Sequence, residues 1–302
     1  MEIVKLDQTN EQSWNEFCYT NYGLWFFHRK EWLVYLQNSK FGVEFKDHSF
    51  FIENNGKIIS IVPLIQENDE LFSSGFDDRK EVLQEVKRIA VESRVKRIRV
   101  DSDIREYLSI DGYTCILSLD QINPSKGHRS CIKKAEKYLT YTLCEDTVRF
   151  REDYCRIAGK ITRPAITFDL MGKWAAQGFG SLLEAKFDGK TAGYTYLLHW
   201  KDRAYYFMSC VETDFREFNV SHFLQSKAFD ILRLKGVRYY ELGEQVYNSL
   251  HCQPTDKEKN ISRFKKSFGG QIVLAPASEF YFDRDYFEQV YTKRIKDYKE
   301  RM

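Results

Sequence analysis

Two distant stretches of this chain read as the same run of elements: a hairpin, then a helix, then a strand. In the first, residues 49–53 predict a strand, Asn54-Asn55-Gly56 a hairpin turn and residues 57–64 the return strand, which Pro63 ends or places at a sheet edge. A helix over 78–93 follows, with Val82, Leu83, Val86, Ile89 and Ala90 on one side, and then a strand over 97–100. In the second, strands over 182–187 and 190–200 flank an Asp188-Gly189 turn, and a further turn at Lys201-Asp202-Arg203 leads into a strand over 204–210. A helix over 221–234 turns Phe223, Leu224, Ala228, Ile231 and Leu232 to one side, and a strand over 236–242 closes the run. The two closing strands are also alike, Val95-Lys96-Arg97-Ile98-Arg99-Val100 beside Val237-Arg238-Tyr239-Tyr240-Glu241-Leu242. An apolar helix stripe in such a run has to be buried against a sheet face. The repeat therefore predicts an α/β (α+β) chain of two tandem domains, each a mixed, mostly antiparallel sheet flanked by helices. The Pro-, Ser- and Gly-bearing break from Asp120 to His128 sets the boundary, giving domains 1–122 and 123–279 and a C-terminal segment 280–302. That segment carries a helix over 285–300 with Phe287, Val290, Tyr291, Ile295 and Tyr298 on one face.

At 302 residues and 43% hydrophobic, the chain has enough apolar side chain for two modest cores. A net charge of +2 excludes a globally polybasic nucleic-acid binder and leaves room for local basic patches. The seven cysteines are odd in number and scattered, with no C-x-x-C, and the six histidines show no H-E-x-x-H. Reduced thiols in a cytosolic protein are expected, with neither a disulfide frame nor a metal site. The opening MEIVKLDQTN lacks an apolar core, and no apolar run approaches the ~18 residues of a membrane span, so neither secretion nor membrane insertion is expected.

The stretch richest in chemistry is Ile261-Ser262-Arg263-Phe264-Lys265-Lys266-Ser267-Phe268-Gly269-Gly270. Three apolar anchors stand among cations and hydroxyls, and the paired glycines relax the usual limit on φ before a strand over 271–275. It reads as a basic turn, with its lysines off any regular helical surface. It leads plainly into a strand, or lets backbone approach something closely. A second basic stretch runs from Lys126 to Lys137, with Ile132, Ala135 and Leu139 at helical spacing and Arg129, Lys133, Lys134 and Lys137 on the other side. It is a solvated face or a phosphate-binding one. The N-terminal region predicts short helices with Trp14, Phe17 and Cys18, and then Trp32, Leu33 and Leu36, on their apolar sides.

F-K-x-x-F-G-G from Phe264 to Gly270 resembles the FemAB family, a branch of the GNAT acyltransferase superfamily. The resemblance extends to F-x-x-x-x-W-L from Phe27 to Leu33, which also reads as packing aromatics, and to R-x-x-I-x-K-A from Arg129 to Ala135. The order of elements matches as well, since FemAB proteins carry two GNAT-like domains in one chain. The resemblance implies that the C-terminal helix packs back on the first domain. It also implies that Lys265 stabilises the oxyanion of acyl transfer, with Phe264 contributing to the site. An arginine near Ile161-Thr162-Arg163-Pro164 lines the interdomain groove in relatives acting on nucleotide-linked precursors. Arg163 is the match here, and Thr167 stands where a tyrosine often follows. In GNAT folds two strands part near Glu241-Leu242-Gly243, with the acyl carbonyl between them. Gly243 would allow the approach, and Glu241, Glu244 or Tyr247 would take a proton from the attacking amine, or Glu241 is a solvated strand-end charge. Tyr206, on the preceding strand, is a further binding candidate.

CoA-using GNAT enzymes place glycines in R/Q-x-x-G-x-G/A between strand and helix. Here Arg216-Glu217-Phe218-Asn219-Val220-Ser221 puts Asn219 and Ser221 at those positions, which suit helix caps better than a phosphate cradle. The donor is thus an acyl-CoA or an aminoacyl-tRNA, with no metal. The expected activity is transfer of an acyl or aminoacyl group onto an amine of a nucleotide- or lipid-linked cell-envelope precursor, peptidoglycan or surface polysaccharide. Two alternatives stay open. One is a strict aminoacyl-tRNA-dependent peptidyltransferase of peptidoglycan cross-bridges, for which the stretches 129–137, 257–266 and 293–301 would offer a basic surface. The other is a non-catalytic binder of a nucleotide-sugar or glycan precursor.

Overall fold

The structure is a computed structural model describing residues 1–110 and 112–301; Asp111 and Met302, the last residue of the C-terminal segment, lie outside the described residues. The chain divides into two compact units, Met1–Tyr113 with Val246–Thr255 and Leu274–Met302, and Thr114–Gln245 with Asp256–Val273.

The first unit begins with β1 (Glu2–Lys5), α1 (Glu11–Thr20) and α2 (Lys30–Gln37). Short strands follow: β2 (Phe45–Asp47), β3 (Phe50–Asn54), β4 (Lys57–Val62), β5 (Ile65–Glu67) and β6 (Glu70–Ser73). After α3 (Lys80–Glu92) come β7 (Arg97–Val100) and β8 (Leu108–Ile110). The hairpin β3–β4 turns on Asn55 and Gly56 at φ of 50° and 72°, the left-handed pair that matches strand twist. Val82, Val86 and Ala90 of α3 are fully buried beside Leu71, Ile98 and Val100, so the predicted apolar stripe is the one that packs. The Phe27 and Trp32 rings lie 4.6 Å apart and Leu33 is buried, a packing role for that motif.

The second unit begins on β9 (Tyr113–Ser118), then α4 (Lys126–Ala135), β10 (Leu139–Leu143), α5 (Thr147–Ala158) and α6 (Ala165–Ala176). The meander β11 (Gly180–Phe187), β12 (Lys190–Trp200) and β13 (Arg203–Val211) leads to α7 (Val220–Leu234), β14 (Tyr239–Gln245), α8 (Asp256–Lys266) and β15 (Gln271–Leu274). These strands form one sheet in the order β10-β11-β12-β13-β14-β9-β15. Alternation sorts its faces. Leu183, Ala185, Ala192 and Leu197 meet α7 and Ala135 of α4. On the other face Tyr194 packs on Phe150 of α5, and the Tyr196 hydroxyl donates to Met171 O of α6. Leu139, expected on the inner side of the α4 helix, instead starts β10. The helix ends at Ala135, and the strand delivers Leu139 to the same core.

The chain then returns to the first unit with β16 (Ala277–Tyr281) and α9 (Arg284–Lys299). The unit holds a three-stranded sheet β1-β3-β4 and a six-stranded sheet β2-β5-β6-β7-β16-β8. Of the predicted α9 face, Phe287, Val290 and Tyr291 are half-buried, whereas Ile295 and Tyr298 are exposed. The group that ties this part of α9 to β16 is ionic: Arg294 grips Glu279.

Candidate active site

In the second unit β13 and β14 pair in parallel only from Arg203↔Tyr239 to Tyr205↔Glu241; beyond these residues the two strands have no paired register. A bulge at Phe207, where Leu197 faces Tyr206 and Tyr196 faces Met208, turns β13 further. The strands therefore part just where β14 reaches Gly243.

Gly243 has φ of 82°, and a Cβ there would lie 3.0 Å from the Tyr205 hydroxyl and 3.3 Å from Lys265 Nζ. The ammonium group thus stands against bare backbone, and it donates to Glu244 O at 3.3 Å. Its carrier is not the irregular turn expected from sequence. Lys265 lies in the last turn of α8, with Arg263 and Lys266, where cations oppose the helix dipole. Burial lowers the Lys265 pKa, opposed by the charges of Glu244, Cys115 and Glu241. Burial raises that of Glu241, opposed by a hydrogen bond from Thr114 and by Arg203 and Lys265. The Thr114 hydroxyl donates to Glu241 Oε1 at 2.6 Å. Lys265, Glu241 and Gly243 are thus brought together, with Thr114, Tyr205 and Cys115 added. Sequence reading missed the last three because β9 went unrecognised and Tyr205 looked like one more strand aromatic.

Two of the three expected apolar anchors, Phe264 and Phe268, fix the end of α8, whereas Ile261 is exposed. Phe268 is fully buried, 5.0 Å from the Phe264 ring and 5.6 Å from Phe229 of α7. His128 Nε2 meets Ser267 Oγ at 2.6 Å, and Ser125 N donates to Ser267 O at 3.0 Å, so the start of α4 is pinned to the same turn. The paired glycines admit protein rather than ligand. A Cβ on Gly269, at φ of 92°, would lie 2.5 Å from Asn123 O, and one on Gly270 would lie 2.4 Å from Cys115 Sγ. Gly269→Ala and Gly270→Ala are therefore expected to lower unfolding free energy by about 1–3 kcal/mol each, as overpacking does. Urea titration of the two variants measures this, and a loss below ~0.5 kcal/mol would contradict the close approach.

At the start of α7, Asn219 sits in the left-handed region at φ of 59° and makes no side-chain cap, contrary to the expected ordinary cap. Its Nδ2 reaches back to Glu217 O at 3.4 Å. Arg216 is exposed, and Ser221 is half-buried in the first turn. His222, one residue on, lies 4.4 Å from the His128 ring and 5.1 Å from Phe264. Burial, aided by His128, pushes its pKa down to about 4, so the ring is neutral at pH 7.

Arg129, exposed on α4, directs Nη1 to Asn123 Oδ1 and Pro124 O, which holds the loop before the helix. Lys133 is exposed on α4, and Arg163 is half-buried in the link between α5 and α6. Thr167 is fully buried and donates to Pro164 O. Tyr206 is half-buried on β13, its hydroxyl pKa raised by burial and moderated by Ser209 and Gln225. Tyr247 belongs to the first unit, 5.4 Å edge-on from Tyr113. Among the described residues no group of three or more His, Cys, Asp or Glu is placed to hold a metal ion, and no helix is long and apolar enough to cross a membrane.

Residues 161–250, from the α5–α6 link through β14, match the family model described as an acetyltransferase (GNAT) domain. No curated protein matches the sequence. The fold is shared with the crystal structure of FemX, at 14% identity over 96% of this chain and 100% of that one, with a TM-score of 0.72. It is shared with L-PGS from Bacillus licheniformis, at 12% identity over 96% and 97% of the chains and a TM-score of 0.65. A tandem GNAT protein from the clavulanic acid biosynthesis pathway matches at 11% identity over 92% and 98%, with a TM-score of 0.55. Residues 161–250 thus resemble an acetyltransferase (GNAT) domain, set in a chain with the fold of FemX.

Proposed function

We propose that the protein transfers an acyl or aminoacyl group from an activated ester onto an amine of a cell-envelope precursor, at the point where β13 and β14 part. The observation that carries this is the half-buried Lys265 Nζ beside the bare backbone of Gly243, with Glu241 on the same strand. A donor carbonyl lying between the strands would put its oxygen near the ammonium. As the amine attacks, the N–C bond forms and the carbonyl oxygen gains negative charge, which Lys265 stabilises. Glu241 takes the proton released by the nitrogen. Collapse of the adduct breaks the bond to the donor, and the departing atom leaves with a proton returned by Glu241. The envelope acceptor rests on the sequence resemblance and on the fold shared with FemX and L-PGS.

Two observations favour an aminoacyl ester of RNA over CoA as donor. A pyrophosphate needs open backbone N–H groups at a helix start, and at α7 Asn219 and Ser221 stand where glycines would leave the backbone bare. The basic residues of α4 and of the last turn of α8 are also joined through Ser125 and Ser267, which gives one unit two of the three basic stretches. The test offers the full chain a pool of tRNA charged with radiolabelled amino acids, or labelled acetyl-CoA, with a UDP-linked muramyl pentapeptide as acceptor. Label is expected to pass from RNA to the peptide, more readily as salt is lowered. Transfer from CoA alone would overturn the donor assignment. A raised melting temperature with the nucleotide sugar, and transfer from neither donor, would make the protein a binder.

A further inference from the structure

Thr114 lies near the start of β9 and is 6% exposed. In the sheet β9 is the neighbour of β14, so its hydroxyl reaches across to the adjacent strand and donates to Glu241 Oε1 at 2.6 Å. Among the described residues no hydrogen bond ends on Glu241 Oε2. The charged and titratable groups around this carboxylate come from each element beside it: Lys265 from α8, Arg203 from β13 and Cys115 from β9, with Glu244 of β14 next to the lysine. A glutamate side chain has three rotatable bonds. One short hydrogen bond from a buried β-branched residue removes most of that freedom. We propose that Thr114 is a positioning residue for acyl transfer, holding one oxygen of Glu241 so that the other faces the attacking amine and receives its proton. The proposal rests on reading Glu241 as the proton acceptor and goes beyond it by naming what aims it.

The hydroxyl also favours the ionised carboxylate, so its removal has a defined sign: the Glu241 pKa rises. In Thr114→Val, which keeps shape and loses the donor, the acidic limb of the kcat/KM–pH profile is expected to move up by about one unit, with kcat reduced above the limb by lost aim. Thr114→Ser should restore both. In the free protein, labelled with glutamate carrying carbon-13 at the carboxyl and with the Glu241 signal identified through Glu241→Gln, the titration should move in the same direction. A titration that stays at its wild-type position in Thr114→Val overturns the proposal. So does a shifted titration with an unshifted limb, or an equal loss of rate at every pH, and both leave acyl transfer at Lys265 standing. A wild-type protein that transfers nothing to the muramyl peptide overturns the functional reading along with it.

Discussion

Replacing Lys265 with alanine is expected to lower the rate of acyl transfer by about 100–1000-fold, the usual consequence of removing one fixed donor to a developing oxyanion. The size of the effect follows from where the ammonium sits. It is half-buried, and it faces Gly243, which has no side chain to stand between the cation and a ligand. Water at such a position would have to reorganise around the forming charge at a cost in free energy, whereas Nζ is already held by Glu244 O. The loss should fall on the chemical step. Single-turnover measurements with protein in excess over charged RNA separate that step from binding and release. Lys265→Arg should recover only part of the rate, because a longer planar guanidinium does not place its charge where a compact ammonium does. A Lys265→Ala protein with a wild-type melting temperature and a rate within tenfold of wild type would remove the lysine from the mechanism.

How much of this site was legible in the sequence depended on which interactions were local. The second hairpin, the α7 stripe and the run into β14 depend on neighbours within a few residues, so alternation and helical spacing revealed them. Asn54-Asn55-Gly56 states its turn chemistry outright. Glu241 and Gly243 could be singled out because they end a strand that was itself legible. Lys265 was singled out by the motif around it, but its helix was missed: three of the last four residues of α8 are cationic, and a double glycine follows two residues on, which resembles a turn. Thr114 left no local signal. Its contact with Glu241 exists only because β9 is inserted between β14 and β15. The short strands of the first unit, several of three or four residues, are too brief for alternation to declare itself. The paired glycines of the motif were noticed for the right physical reason, close approach, with no partner named. What approaches is Asn123 O and Cys115 Sγ.

The largest stability effect is expected far from any chemistry, at Glu279. Nothing in the sequence around it foretells a buried charge, yet its side chain is fully buried in β16. Arg294 of α9 binds it through both terminal nitrogens, Nη1 to Oε1 at 2.5 Å and Nη2 to Oε2 at 3.0 Å, and the Tyr291 hydroxyl donates to Oε1 at 3.0 Å. Burial alone would raise the Glu279 pKa. Arg294, with Tyr291 and Tyr281, reverses this and holds it below the usual carboxylate range. Arg294→Leu leaves that carboxylate in the core with Arg97 Nη1 3.5 Å away as its remaining cation, and is expected to cost about 3–5 kcal/mol of unfolding free energy at pH 7. The sign of the pH dependence identifies the cause. A depressed pKa stabilises the wild-type fold above the unfolded value of about 4.3, and that contribution is lost as pH falls through the folded one. In Arg294→Leu the folded pKa should rise above the unfolded one, so the neutral acid is the tolerated form and the penalty shrinks as pH falls towards 4. Pairing it with Glu279→Leu removes the orphaned charge, and the double variant should be more stable at pH 7 than Arg294→Leu alone. Urea unfolding of the three variants at pH 7 and near pH 4 decides it. A penalty that is the same at both pH values, or a double variant weaker than Arg294→Leu, would mean that α9 is held by its half-buried Phe287, Val290 and Tyr291 and not by the ion pair.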